Sequence, residues 1–243
     1  MNDQIYGIRA VLEAIGSGRA INKIFLQKGL KGELFKELEA AIRKNQLSAS
    51  YVPVEKLNRL TKNNHQGVVA DISPVTFHTL EELVEKTTKK EAPALFLLLD
   101  QLSDVRNFGA IIRTAECTGV DGIIIPKKGA APVTGDTIKT SAGAVFKIPI
   151  AKVDHIKDAV FYLQASGVSV IAATEKTQNL LYDIPMKGAV AIVMGAEDTG
   201  ISPSVLKTVD HTAKLPLLGT IESLNVSVAC GVFLYEVVRQ RSL

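Results

Sequence analysis

The stretch Ala94-Leu95-Phe96-Leu97-Leu98-Leu99-Asp100 decides the fold. Five consecutive apolar residues ending at a carboxylate show no alternation, so a strand made from them must be covered on both faces. That is the pattern of a parallel sheet between layers of helix, and the chain beyond it repeats the theme. A helical period over 110–117 runs into a strand over 122–125, a helix over 156–165 into a strand over 169–173, and 190–194 is another apolar run. The last helix is the clearest. Val226, Ala229, Cys230, Phe233, Leu234, Val237 and Val238 recur at i, i+3 and i+4, and Arg239 and Arg241 suit its negative, carboxyl-terminal end. Residues 94–243 therefore read as a parallel α/β domain, with ligand sites expected beyond the carboxyl ends of its strands.

Upstream, residues 79–93 are polar, with Glu81, Glu82, Lys86, Lys89, Lys90 and Glu91 before Pro93. They read as a linker with a short helix at 80–84. Residues 1–78 alternate short helical and strand patterns: helices over 6–15 and 32–44, strands over 23–26 and 50–54, a short helix through Leu57 and Leu60, and a strand over 67–72. This is a second, smaller α/β unit with its own core. It carries 11 Lys and Arg against 7 Asp and Glu, whereas residues 92–243 carry 14 of each. A basic module beside a neutral one suits a polyanion grip attached to a chemical unit, and an ordinary solvated surface explains the same bias.

Several function classes drop out. No apolar run approaches the roughly 18–20 residues of a membrane span. Met1-Asn2-Asp3-Gln4 has neither the basic nor the apolar region of a secretion signal. Cys117 and Cys230 both sit in helical patterns, which reads as two reduced core thiols of a cytoplasmic protein. Four scattered histidines and no C-x-x-C give no metal site. Neither a P-loop nor a nucleophile elbow is present, and Gly16-Ser17-Gly18 follows a helix and reads as its terminating turn.

Three polar segments each follow a strand. In Asp100 to Arg113, Asn107 stands where the helix is expected to begin and can cap it, Gly109 allows close approach, and Arg113 offers a planar donor fork. In Val193 to Ser202, Gly195 and Gly200 bracket Glu197. In Leu215 to Ser227, Ser223 or Asn225 can cap the last helix. A plain capped helix or surface turn accounts for each segment singly. Three of them at the ends of strands in one sheet point to a site.

Asn107-x-Gly109-x-x-x-Arg113, Met194-Gly195-Ala196-Glu197 with Gly200, and Leu215-Pro216 with Ser223-Leu224-Asn225-Val226-Ser227-Val228-Ala229 resemble, in order, the three motifs of the SpoU/TrmH (SPOUT) ribose methyltransferases. The resemblance covers almost all of 94–241. Tyr6-Gly7-Ile8, Val11-Leu12 and the run Asn64-His65-Gln66-Gly67-Val68-Val69 are similar to the substrate-binding domain of the branch that methylates a guanosine 2′-oxygen in 23S ribosomal RNA. The resemblance implies an RNA-binding domain over 1–78 and a deep trefoil knot in 94–243. It also implies S-adenosyl-L-methionine as cofactor, ribosomal RNA as substrate and a homodimer through the C-terminal domain. Carried over by position, the catalytic set is Asn107, Arg113, Glu197, Ser223 and Asn225, and Gly195, Leu215 and Leu224 hold the cofactor. Glu222 departs from the pattern, which has a small polar residue there.

Family accounts make the arginine matching Arg113 a base. A guanidinium normally keeps its proton and offers no lone pair. Arg113 is therefore read as a clamp on an RNA phosphate that also stabilises the developing alkoxide, with the phosphate or Glu197 helping to move the proton. Two rival readings stand: a transfer RNA ribose methyltransferase, and a non-catalytic RNA-binding assembly protein, against which the intact five-residue set argues. The Asn64 to Gly67 run is open between a tight turn and an RNA contact.

Overall fold

The computed structural model describes residues 4–87 and 90–242, so that Thr88 and Lys89 of the expected linker lie outside the described residues. The chain divides into two compact units, residues 1–76 with 132–135, and residues 77–131 with 136–243.

The first unit consists of β1 (Gln4–Tyr6), α1 (Ile8–Gly16), β2 (Ile21–Gln27), α2 (Glu33–Lys44), β3 (Ala49–Val52), α3 (Val54–Leu60) and β4 (Val68–Ile72). Its sheet has the order β1-β4-β2-β3, antiparallel except where β2 meets β3. Ile24 and Leu26 of β2 and Val68 and Ala70 of β4 bury one face with Val11 of α1 and Leu38 of α2. The alternate residues Phe25 and Val69 bury the other with Leu57 of α3. A register shift between Ile21 and Lys23 returns Ile21 to the helix-covered face. Strand β1 replaces the first turn of the helix expected from Tyr6. Gly7, at φ 91°, separates the two in a conformation that glycine adopts without steric cost.

The second unit begins with α4 (Leu80–Thr87). Where the sequence suggests a polar linker with a helix at 80–84, the helix is longer, and Leu80, Leu83 and Val84 join the core of this unit. Its charged residues dominate the composition but occupy the outer face. The order continues β5 (Leu95–Leu99), α5 (Val105–Cys117), β6 (Gly122–Pro126), α6 (Gly135–Thr140), β7 (Ile150–Val153), α7 (Ile156–Ala165), β8 (Ser169–Ala173), β9 (Val190–Met194), α8 (Pro203–Leu206), β10 (His211–Ala213) and α9 (Val226–Arg241). All six strands are parallel, in the order β10-β8-β9-β5-β6-β7. Every residue of β5, β6 and β9 is buried, as continuous apolar runs require. Gly122 is needed for packing, because a Cβ there would stand 2.2 Å from a methyl carbon of Leu83.

Two anchors fix the ends of this unit. Arg241 does more than suit the helix dipole: its guanidinium donates to the carbonyls of Pro93 (2.9 Å), Ala94 (3.0 Å) and Gly188 (2.7 Å), the chain segments that enter β5 and β9. On the same helix, buried Glu236 accepts a two-point bond from Arg239, and that guanidinium holds its carboxyl below the usual carboxylate range. Cys230 is a core thiol as expected, but Cys117 is exposed, because it falls on the outer face of α5.

Candidate active site

Strands β5 and β9 are neighbours near the middle of the sheet, and the connections leaving them run to opposite sides of it. Such a switch point opens a crevice at the carboxyl ends of the strands. The chain is tied down tightly there. Asp100 donates its backbone N–H to the carbonyl of Met194 (2.8 Å), and its buried carboxylate accepts from the N–H of Ser202 (2.8 Å). The 195–201 loop also closes on itself, with Ala196 and Gly200 exchanging backbone bonds of 3.2 and 2.9 Å. Gly195 is required by that closure, since a Cβ would lie 2.2 Å from the Gly200 carbonyl carbon.

Helix α5 starts earlier than expected, and its cap is Asp104, whose carboxylate accepts from the Asn107 N–H at 2.7 Å. Asn107 is therefore not the cap; it sits in the first turn, with its side chain free for another task. Gly109 serves helix packing: a Cβ there would meet the Thr140 hydroxyl at 1.8 Å. At the other end of the site, Asn225 does cap its helix, accepting at Oδ1 from the N–H (3.0 Å) and Oγ (2.6 Å) of Ser227.

That cap fixes the Asn225 amide so that Nδ2 points away from the helix. Nδ2 donates to Oδ1 of Asn107 at 3.0 Å and to Oε1 of Glu197 at 2.7 Å. Both amide hydrogens and both acceptor lone pairs are thereby engaged, which sets the orientation of the side chain. Three residues from three segments that follow strands, far apart in sequence, meet at one point: Asn107 in the first turn of α5, Glu197 in the 195–201 loop and Asn225 at the start of α9.

Beside them lies a cleft of about 390 Å³ between the ends of β8, β9 and β10 and the start of α9. Gly195, Glu197, Leu215, Ser223 and Leu224 line it, so every residue expected to touch a cofactor is on its wall. Sequence reading missed Thr174, Glu175 and Lys176, which close the far side. The strand before them was legible, and the rule that ligands sit beyond strand ends was the signal that could have found them. Glu222 also lines the cleft.

Arg113 is not brought to this point. It is exposed on α5 six residues after Asn107, about 120° away round a helix of 100° per residue, and among the described residues no hydrogen bond or ion pair ties it to the other three. Among the described residues there is also no cluster of metal-ligating side chains, and no helix long and apolar enough to cross a membrane.

The same chain matches known proteins over nearly its whole length. Residues 94–235 match the SpoU rRNA Methylase family, and residues 4–78 match the RNA 2′-O ribose methyltransferase substrate binding family. YacO of Bacillus subtilis, placed in the TrmH family of tRNA/rRNA methyltransferases, is 34% identical over 99% of this chain and 97% of its own. The rRNA methyltransferase of Sinorhizobium meliloti, solved with bound S-adenosylmethionine, is 25% identical, with a TM-score of 0.61 over 97% of this chain and 86% of its own. A structure described for 2-OH methylation of C/U34 on tRNA is 26% identical, with a TM-score of 0.55, but covers 62% of this chain and 97% of its own. The chain belongs to the SpoU rRNA methylase family of RNA methyltransferases. Its fold is the parallel α/β arrangement of that family, and its cofactor is S-adenosylmethionine.

Proposed function

We propose that this chain is a cytoplasmic enzyme that methylates a ribose 2′-hydroxyl in ribosomal RNA, with a guanosine of the 23S molecule as its target. The observation that carries the reading is the Asn107–Asn225–Glu197 network, standing open beside a nucleoside-sized cleft at the sheet's switch point. The ribosomal assignment draws on the N-terminal unit, which matches a ribose-methyltransferase substrate-binding family. It also draws on the contrast between the rRNA relative, which spans both units, and the tRNA one, whose coverage is too short to do so.

The cleft fits the cofactor. Backbone at Gly195 forms part of one wall, Leu215 and Leu224 offer apolar surface for an adenine, and the carboxylates of Glu175, Glu197, Asp198 and Glu222 outnumber Lys176 and Lys214, which favours a cation. S-adenosylmethionine bound there supplies a methyl group already activated by a positive sulfur. The residues need only orient the ribose oxygen in line and take its proton. Asn107 and Asn225 position the hydroxyl, and Glu197, held by Asn225, accepts its proton. Ser223, on the rim, contacts the same ribose. Arg113 clamps the adjoining phosphate and stabilises the oxygen as charge builds on it.

A homodimer through the C-terminal domain supplies what one chain lacks. Arg113 faces away from its own network, and Tyr182, Val228 and Tyr235 form an exposed apolar face along α9 and the turn at Leu181–Asp183. In the dimer, the guanidinium of one protomer serves the site of its partner. Mixing two inactive variants, Arg113→Ala and Asn225→Ala, then restores about a quarter of wild-type activity, the share of sites with all groups intact in a random exchange.

The direct test is transfer of labelled methyl from S-adenosylmethionine to total RNA, followed by mapping of the modified ribose. Label confined to transfer RNA overturns the ribosomal assignment. No incorporation into any RNA, with cofactor binding intact, overturns the enzyme reading.

A further inference from the structure

The positive excess of the N-terminal unit is not spread evenly over it. Helix α1 carries Arg9 against Glu13, and α2 carries Lys36, Arg43 and Lys44 against Glu33, Glu37 and Glu39. These two helices cover one face of the sheet, and each is electrically neutral. Lys36 is moreover tied to Glu33 at 2.7 Å. The rest of residues 1–78 carries 7 Lys and Arg against 3 Asp and Glu.

The other face of the sheet is covered by α3, a helix of seven residues. Lys23, on the strand beneath, and Lys56, on the flank of α3, each hold an ammonium group 5.5 Å from the centre of the Phe25 ring. The two charges are therefore no more than twice that distance apart. The ring is buried and both lysines are exposed, so their stems lie on apolar surface and their charges stay in water. Arg59 follows Lys56 at i+3 on the same flank, and Lys62 stands in the turn beyond. All four cations are exposed, and none forms an ion pair among the described residues. Two carboxylates share this side. Glu55 is on the part of α3 away from buried Leu57, and Asp71, in register with Lys23, accepts from Gln4 at 2.9 Å. Four cations thus stand against two acids.

An open aromatic ring belongs to the same face. Tyr6 of β1 is in register with Val69 of β4, and Val69 is in register with Phe25. Residues of one such row share a face of the sheet. Tyr6 is exposed there because β1 is the edge strand, whereas α3 packs on β2 and β4.

We propose that the α3 side of the N-terminal unit is its RNA contact, with Lys23, Lys56 and Arg59 on phosphates and Tyr6 stacked on an unpaired base. The inference rests on the RNA reading above and assigns the contact to one face of the sheet out of two. Unpaired cations beside an open ring suit an RNA that offers both backbone and a splayed base. The neutral α1–α2 side offers neither an excess of charge nor the ring.

The test is equilibrium binding of a fluorescein-labelled RNA stem-loop, its loop of mixed sequence, to the full chain across a salt series. The triple variant Lys23→Gln/Lys56→Gln/Arg59→Gln is compared with Lys36→Gln/Arg43→Gln/Lys44→Gln, which removes the same charge from α2. The first is expected to bind about tenfold more weakly, with a log–log salt slope shallower by about 2 for three lost phosphate contacts. The second should stay within about twofold of wild type with its slope kept. Tyr6→Ala should bind about fivefold more weakly with the slope unchanged, as for a lost stack, and Tyr6→Phe should bind as wild type does. Unchanged midpoints of thermal unfolding show that each variant is folded. Equal losses in the two triples, or none in the first, overturn the proposal, as does a wild type that binds no RNA. A Tyr6→Ala chain with wild-type affinity overturns the stacked base. Methyl transfer plays no part in this readout, so a wild type that binds RNA without methylating it counts against the enzyme reading alone.

Discussion

In the N-terminal unit the polar run Asn64 to Gly67 spends its side-chain bonds on its own neighbourhood, and in the C-terminal unit the polar run Ser223 to Ser227 reaches residues of distant segments. His65 accepts the Gly67 N–H at Nδ1 (2.9 Å), so its proton is on Nε2 and is donated to Oδ1 of Asn58 (2.9 Å). Both ring nitrogens are engaged in stapling α3 to the turn before β4, where Gln66 and Gly67 take φ 50° and 78°. Asn225 is just as fully bonded, but its partners are half-buried Asn107, in the first turn of α5, and exposed Glu197, in the 195–201 loop. A polar residue whose bonds are local holds a turn together. One whose bonds join distant loops at a strand end holds a site open.

The sharpest way to break that contrast is Asn225→Asp. The carboxylate still caps α9 but loses the Nδ2 donor and faces Glu197 with like charge. Methyl transfer should fall by about 10²–10³-fold, the scale of a lost preorganised donor, with the midpoint of thermal unfolding almost unmoved. A parallel drop in both would make Asn225 a structural cap and nothing more. Next in size is Leu97→Ala on fully buried β5, expected to cost about 2–5 kcal/mol in urea unfolding through the cavity it leaves. Arg241→Ala removes three charged hydrogen bonds to carbonyls and should cost about 2–3 kcal/mol, at the level of bonds made by charged groups. His65→Ala should cost about 1 kcal/mol and leave RNA affinity unchanged. A loss of RNA affinity of several-fold at full folding would make the turn an RNA contact and erase the contrast.

The smallest effect concerns the two thiols. Cys117 is exposed, and burial pushes the Cys230 thiol up to about 12. Iodoacetamide at pH 8 should label one cysteine in the native protein and two after denaturation. Because the folded pKa of Cys230 lies above the unfolded value of about 8.5, its share of stability is complete below pH ~8.5 and is lost as pH rises towards 12.

The core strands were legible because each is a run of residues with one requirement, burial. The strands over 169–173 and 190–194 and the helix over 156–165 agree with the sequence expectation to the residue. Short elements were not. β1 has three residues, and its Tyr6 continues the apolar period of α1; β7 and β10, with four and three, carry too little pattern to separate from loop. Helix α4 was read as too short, 80–84 against Leu80–Thr87, because the charged residues of its outer face resemble a linker. At the site, the three loops were visible as polar residues after strands, but their mutual bonds depend on strand order, which places β9 beside β5 across nearly a hundred residues. The displaced cap shows the limit most plainly: Asp104 and Asn107 are both good caps, and only the backbone decides between them.

The guanidinium of Arg241 also sets a schedule for folding. It closes on Pro93 and Ala94 from 148 and 147 residues further along the chain, and on Gly188 from 53. While the chain is being made, β5 to β7 can pair, yet the backbone carbonyls entering β5 and β9 wait for the last turn of α9. The C-terminal unit therefore reaches its final state only after that turn has emerged, and until then its central strands rest on sheet pairing and on the core they share with α4 and α7. The N-terminal unit is complete in its sheet by Ile72, before any strand of the other sheet has been made.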